Sequence, residues 1–242
     1  MKRGEIQHKS TKKSAKEEEK RPLRTRKYKQ FFLVVCEDEA TEPAYFKQFK
    51  EEFDKISPET MFFEVVGTGK DQKGVIEQTI KERNDLKQQN NKEIDFVWAV
   101  FDKDDADQNV TKIKNFEAAF TLAKQENIQI AYSNEVFELW LLLHLTNVCA
   151  TKPIPRKEIY QMLQGAVQNS GDLYQNYLYN HQKDKAQILK IITQIGNEEQ
   201  AIKKAEKLLL AQQNKNPIDA NPSTKVHLLV VELRKWLDWY KK

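Results

Sequence analysis

The 242-residue sequence predicts an α/β fold, a parallel sheet flanked by helices and followed by a helical C-terminal region. Two nearly unbroken apolar runs, at residues 31–36 and 94–101, have the composition of strands covered on both faces. Strand-like runs then alternate with segments of helical spacing, the order that builds a parallel, helix-covered sheet. Beyond Pro155 only helical periodicity remains.

Each element has its own signal. After the first strand and a short turn, Thr41 can cap a helix that carries Pro43 in its first turn and repeats Tyr45, Phe46, Phe49 and Phe53. Ser57-Pro58 breaks the chain and residues 61–66 resume strand character. Three of the seven glycines, Gly67, Gly69 and Gly74, then fall within eight positions, so the backbone there needs positive φ or a close approach. Residues 75–86 read as a helix, 87–92 as a loop, 94–101 as a buried strand, 115–126 as a helix and 128–132 as a further strand. Ser133-Asn134 can cap a helix over 135–145, with Phe137, Trp140, Leu141 and His144 on one stripe and Glu138 on another. Lys152 to Pro155 marks a stop, and three helical stripes follow, around Ile188, Ala201 and Leu229. The organisation is a basic tail at 1–29, an α/β domain at 30–150 and a helical region at 151–242 that packs on or extends it.

The two buried strands each run into acid. Cys36 precedes Glu37-Asp38-Glu39, and Phe101 precedes Asp102-Lys103-Asp104-Asp105. In an open parallel sheet the strand carboxyl ends share one edge, where ligands bind. Like charges about 4 Å apart at an effective dielectric of about 20 repel by about 4 kcal/mol, so converging carboxylates must protonate, separate or share a cation. Mg2+ suits such a site, because it takes one or two carboxylates and completes its octahedron with water and substrate phosphate; Mn2+ is an alternative.

Charge and composition bound the rest. The net charge of +4 is uneven: residues 1–30 hold twelve Lys or Arg against four Glu, leaving −4 for the remainder. Such a tail is a solvated flexible segment or a nucleic-acid arm working through phosphate contacts. Cys36 and Cys149 make no disulfide framework and lack metal-ligand spacing, so both are expected as buried small hydrophobes. No apolar stretch approaches the length of a membrane span, and a cytoplasmic protein with no membrane partner is expected.

At these residues the chain resembles the RloB-like family, whose catalytic core is similar to a Toprim domain. The resemblance rests on Cys36-Glu37 with Thr41-Glu42-Pro43 and Tyr45-Phe46, on Gly67-Thr68-Gly69, on Phe101 to Asp104, and on Ser133-Asn134 through Phe137-Glu138-Leu139-Trp140 to His144. Asn221 to Thr224 extends it more weakly. It implies a Toprim-like fold and a Mg2+-dependent nuclease site, in bacterial anti-phage modules that often include an ATPase partner. Glu37 matches the lone Toprim glutamate, and Asp102 and Asp104 match its Asp-x-Asp pair. The chain departs from the pattern at Asp38, where glycine usually follows the glutamate, and at Glu135, where the family more often has proline.

The candidate roles follow, each beside a plainer one. Asp102 and Asp104 are expected to ligate the metal, against an exposed acidic turn. Glu37 would ligate the same ion or take a proton from the attacking water, against a solvated turn. Glu39, Glu42 and Asp105 are weaker candidates. Glu138, set among apolar neighbours, completes the acidic pocket or pairs with a lysine. Gly67, Thr68, Gly69 and Lys70 cradle phosphate or simply turn the chain, and lack the full Walker pattern. Lys103 holds phosphate or is a surface lysine; His144 shuttles protons or is a hydrogen-bonded structural histidine. Two functions compete: an endonuclease cutting RNA or DNA, and a non-catalytic nucleic-acid-binding or regulatory subunit. The oligomeric state stays open.

Overall fold

The computed structural model describes residues 30–56 and 61–242; the basic tail and the Ser57-Pro58 break lie outside the described residues. Four strands, β1 (Gln30–Cys36), β2 (Met61–Gly67), β3 (Phe96–Asp102) and β4 (Gln129–Ser133), form one sheet in the order β2-β1-β3-β4. Every pair is parallel, with Cys36 beside both Gly67 and Val100, and Asp102 beside Ser133. The crossovers are α1 (Thr41–Ile56), α2 (Gln72–Asn90) and α3 (Val110–Gln125). The order reverses between β1 and β3, so the acidic ends of these two strands meet at the switch point of the sheet.

Side chains alternate along the strands, and each face has its own cover. Leu33, Val35, Val97, Ala99 and Phe101 pack under α2 and α3, against Ile76 and Phe116. Phe32, Val34, Cys36, Trp98 and Val100 pack under α1 and a helical layer formed by α4 (Glu138–Leu143), α5 (Arg156–Gln168), α6 (Lys185–Ile195), α7 (Glu198–Ala211) and α8 (Val226–Lys241). This is the expected architecture, an α/β Toprim-like sheet with a helical C-terminal region. One continuous apolar core crosses the Lys152–Pro155 stop, reaching from Phe46 and Trp140 to Leu189, Leu208 and Leu233. Arg234 ties three helices together: it stacks on Phe49 of α1 at 4.5 Å and donates to Glu52 of α1 and Glu198 of α7.

Several local expectations change. Thr41 opens α1 rather than capping it, and the cap is the Asp38 carboxylate, which accepts the Thr41 N–H at 2.8 Å. α2 runs on through the stretch read as a loop until Asn91 takes a left-handed conformation, because no glycine or proline interrupts it earlier. α3 begins at Val110, five residues early, because Asn109 accepts the Lys112 N–H. α4 is short: Asn134 is not its cap but a buried side chain donating to the carbonyls of Pro217 and Ile218, and Glu135 at φ 74° breaks the helical path. Cys36 is buried as expected, whereas Cys149 is exposed, on a loop beyond the apolar helix.

Candidate active site

The carboxyl ends of β1 and β3 are locked together by Glu37. Its Oε2 accepts the backbone N–H of Asp102 at 2.7 Å, and its Oε1 accepts the side-chain amide of Gln72, which also donates to the Asp102 carbonyl. Burial pushes the Glu37 pKa up to about 8, over the opposing hydrogen bond from Asp102, and Asp104, Asp71 and Asp38 add repulsion. The glycine segment supports this turn from beneath. The Gly69 N–H donates to the Glu37 carbonyl at 2.8 Å with φ at 61°, and the Thr68 hydroxyl donates to the Cys36 carbonyl. A Cβ at Gly67 would stand 2.7 Å from both the Asp38 carbonyl oxygen and the Glu39 Cα. These glycines therefore allow two strand ends to approach. Lys70 extends to Gln78 on α2.

Asp102 is the buried centre of the cluster. Its Oδ2 accepts the Phe137 N–H at 2.9 Å, while Oδ1 is inaccessible to solvent and has no hydrogen-bond partner. Burial raises its pKa well above the ordinary value, and Glu42, Asp104, Glu37 and Glu138 push it further. Glu42 is likewise raised by burial and then by Glu37. Glu138 opens α4, is raised by burial, and accepts the Tyr179 hydroxyl. Asp104 takes a left-handed turn at φ 49°, and its pKa is raised by burial although Arg156 opposes this from 3.0 Å.

Asp38, Glu42, Asp102, Asp104 and Glu138 line a cleft of about 130 Å³, closed on its far side by Tyr160, His181 and Lys185. Glu37 lines an adjoining hollow of about 200 Å³ with Asp71 and Gln72, and Asp104 borders both. Lys185 donates to both Asp38 oxygens at 2.8 and 2.9 Å; burial alone would raise the Asp38 pKa, but Lys185 and the Thr41 N–H bring it below the usual range. Asp38, in the place of a glycine, thus caps α1 and receives a cation from α6. At Glu135 the positive φ is one that a proline ring cannot adopt.

Like the glycine segment and Lys70, Lys103 and His144 stand outside the cleft. Lys103 is buried between Glu135 and Asp107, donating to each at 2.9 Å, because its strand-end direction carries it under the loop rather than into the cleft. His144 lies one helical turn beyond Trp140, with the rings 4.8 Å apart, and lines a separate cavity of about 210 Å³ with Tyr45 and Arg234. Burial, with Lys204 nearby, lowers its pKa to about 4, and its Nε2 has no hydrogen-bond partner. Conversely, Arg156, Tyr160, Tyr179, His181 and Lys185 had no local motif to mark them, since only tertiary packing brings them to the strand ends.

Among the described residues, no three His, Cys, Asp or Glu side chains stand close enough to enclose a metal ion, so Glu37, Asp102 and Asp104, expected to share one, do not form a three-carboxylate cage: both Glu37 oxygens accept N–H groups, and it lines the adjoining hollow. The donor set still fits a hard cation of the Mg2+ type. Such an ion needs only one or two carboxylates, and Asp102 Oδ1 is a buried oxygen that requires either a proton or a cation.

A family model described as RloB-like protein matches residues 32–233, which takes in the sheet from the third residue of β1 onward and most of the helical layer. No curated protein and no solved structure matches the chain.

Proposed function

The chain belongs to the RloB-like family, and from that premise we propose that it is a divalent-metal-dependent phosphodiester hydrolase of the Toprim type, acting on RNA or DNA. The observation that carries this is Asp102: a buried carboxylate at the switch point of a parallel sheet, with one oxygen unpartnered and Glu42, Glu138 and Asp104 facing the same cleft. Mg2+ or Mn2+ bound there supplies a water of lowered pKa and neutralises charge on the phosphate. Asp102 would hold it, with Glu42 or Glu138 as the second carboxylate.

The protein's own groups divide the remaining work. Glu37 fixes the Asp102 backbone and so aims its carboxylate. With a pKa near 8 it sits in the range suited to exchanging a proton near neutrality. Tyr179 holds Glu138 in place, and Phe137 N–H holds the second oxygen of Asp102. The setting that the family resemblance implies is a bacterial anti-phage module, of a kind that often includes an ATPase partner.

The test is incubation of purified protein with end-labelled RNA and DNA in Mg2+ or in chelator. Products are expected in Mg2+ only, and none from Asp102→Asn. Cleavage that survives the chelator or the substitution contradicts the reading. One observation favours a second reading, a non-catalytic nucleic-acid-binding or regulatory subunit: Lys185 and Arg156 already neutralise Asp38 and Asp104 without a metal. Binding that persists in chelator with no products under any condition would favour it.

A further inference from the structure

We propose that Tyr160 and His181 form a stacking platform for an unpaired base, which makes single-stranded nucleic acid the substrate class of the acidic cleft. The inference rests on the phosphodiester reading of the same cleft and adds to it a wall from outside the α/β sheet. The two rings lie 4.9 Å apart and within 5° of parallel, and both border the cleft that holds Asp102 and Glu138. Tyr160 is half-buried on α5. His181 is exposed, and its imidazole stacks on the tyrosine.

The platform is held in register with the carboxylates. Tyr179, two residues before His181, donates its hydroxyl to Glu138, and its backbone N–H donates to Gln164 of α5 at 2.9 Å. Asn180 is tied to the start of α6 by its N–H on the Asp184 carboxylate at 2.7 Å and by the Asp184 N–H on its carbonyl at 2.8 Å. The loop therefore carries an aromatic face at a fixed place beside the buried carboxylates. Lys185, four residues on, supplies a cation at the same wall.

Any base offers a π-face, so aromatic platforms bind single strands with little sequence preference. In a duplex those faces are covered by neighbouring bases, so a stacking ring at the cleft rim selects an unpaired base. A strand whose base stacks on His181 would lay its backbone along the carboxylate wall.

The experiment measures binding of labelled single-stranded and duplex oligonucleotides, as RNA and as DNA, in Ca2+ so that cleavage does not intervene. His181→Ala, at an exposed position, is expected to weaken single-strand binding roughly 5- to 150-fold, the loss of one base stack, and to leave the thermal melt unchanged. His181→Phe and Tyr160→Phe should retain wild-type affinity, as a merely polar or structural role would not. Equal affinity of wild type and His181→Ala, duplex binding as tight as single-strand binding, or a Phe variant as weak as Ala would each overturn the platform. Protein that cleaves in Mg2+ yet ignores His181→Ala keeps the hydrolase and loses the platform; protein that binds through His181 and never cleaves does the reverse.

Discussion

At the scale of the residue, the site is governed by carboxylates that repel one another in a buried cleft. Glu37 gives this a measurable sign. In the fold its proton leaves near pH 8, whereas the ordinary glutamate value is 4.5. Between these values the folded state holds the extra proton, so stability is fullest below the lower pH and declines as pH rises through the upper one. Metal-free wild type should therefore lose melting temperature across that window more steeply than Glu37→Gln, and parallel melting curves would contradict the burial of this group. Glu37 and Asp102 were legible in sequence because each follows a buried apolar run directly, so strand geometry alone places it at the sheet edge. Glu42 was underrated for a physical reason: an acid in a helix's first turn is usually exposed and favoured by the helix dipole, and only the fold reveals that this one is buried to 2 % exposure. His144 is not in the cleft: it caps the end of the short α4, which is buried all round, and lines a separate cavity with Tyr45 and Arg234.

At the scale of the element, strand-turn-helix units set the geometry, and a tight contact lies where β2 passes the β1 turn. The added methyl of Gly67→Ala would meet backbone atoms of Asp38 and Glu39 at 2.7 Å, which a side-chain rotation cannot relieve. The strand end must shift, at an expected cost of about 1–3 kcal/mol. Denaturant unfolding reads this as a lowered midpoint, and an unchanged midpoint would show that the turn yields freely. The cluster of glycines was conspicuous in the sequence, but its purpose was not: a phosphate cradle and a close strand approach demand the same residue. Element ends were legible where apolar periodicity stops and misread where a cap decides them. Asn109 starts α3 and Asn91 ends α2, and both positions lie in polar stretches where periodicity has no contrast.

At the scale of the whole molecule, the helical layer serves as both core and active-site wall. Sheet residues such as Phe32, Val34 and Cys36 share one apolar cluster with Ile188, Leu233 and Leu237. A fragment of residues 30–150 would expose that face to water, so it is expected to lack a cooperative thermal transition by circular dichroism; a sharp melt would make the C-terminal region an appendage. The same packing explains why the cleft was only half legible. Asp38, Asp102 and Asp104 lie at or just past the ends of strands that sequence can place, whereas Glu42 and Glu138 sit in helices, Arg156, Tyr160 and Lys185 arrive by docking of helices whose partners periodicity does not identify, and Tyr179 and His181 arrive on the loop before α6. The account depends on Asp102 as the seat of a divalent ion. Anomalous diffraction from crystals soaked in Mn2+ tests this most directly: a peak in contact with Asp102 Oδ1, absent in Asp102→Asn, is the predicted result, and a fully soaked crystal with no peak in the cleft, or a peak unaffected by the substitution, would contradict it.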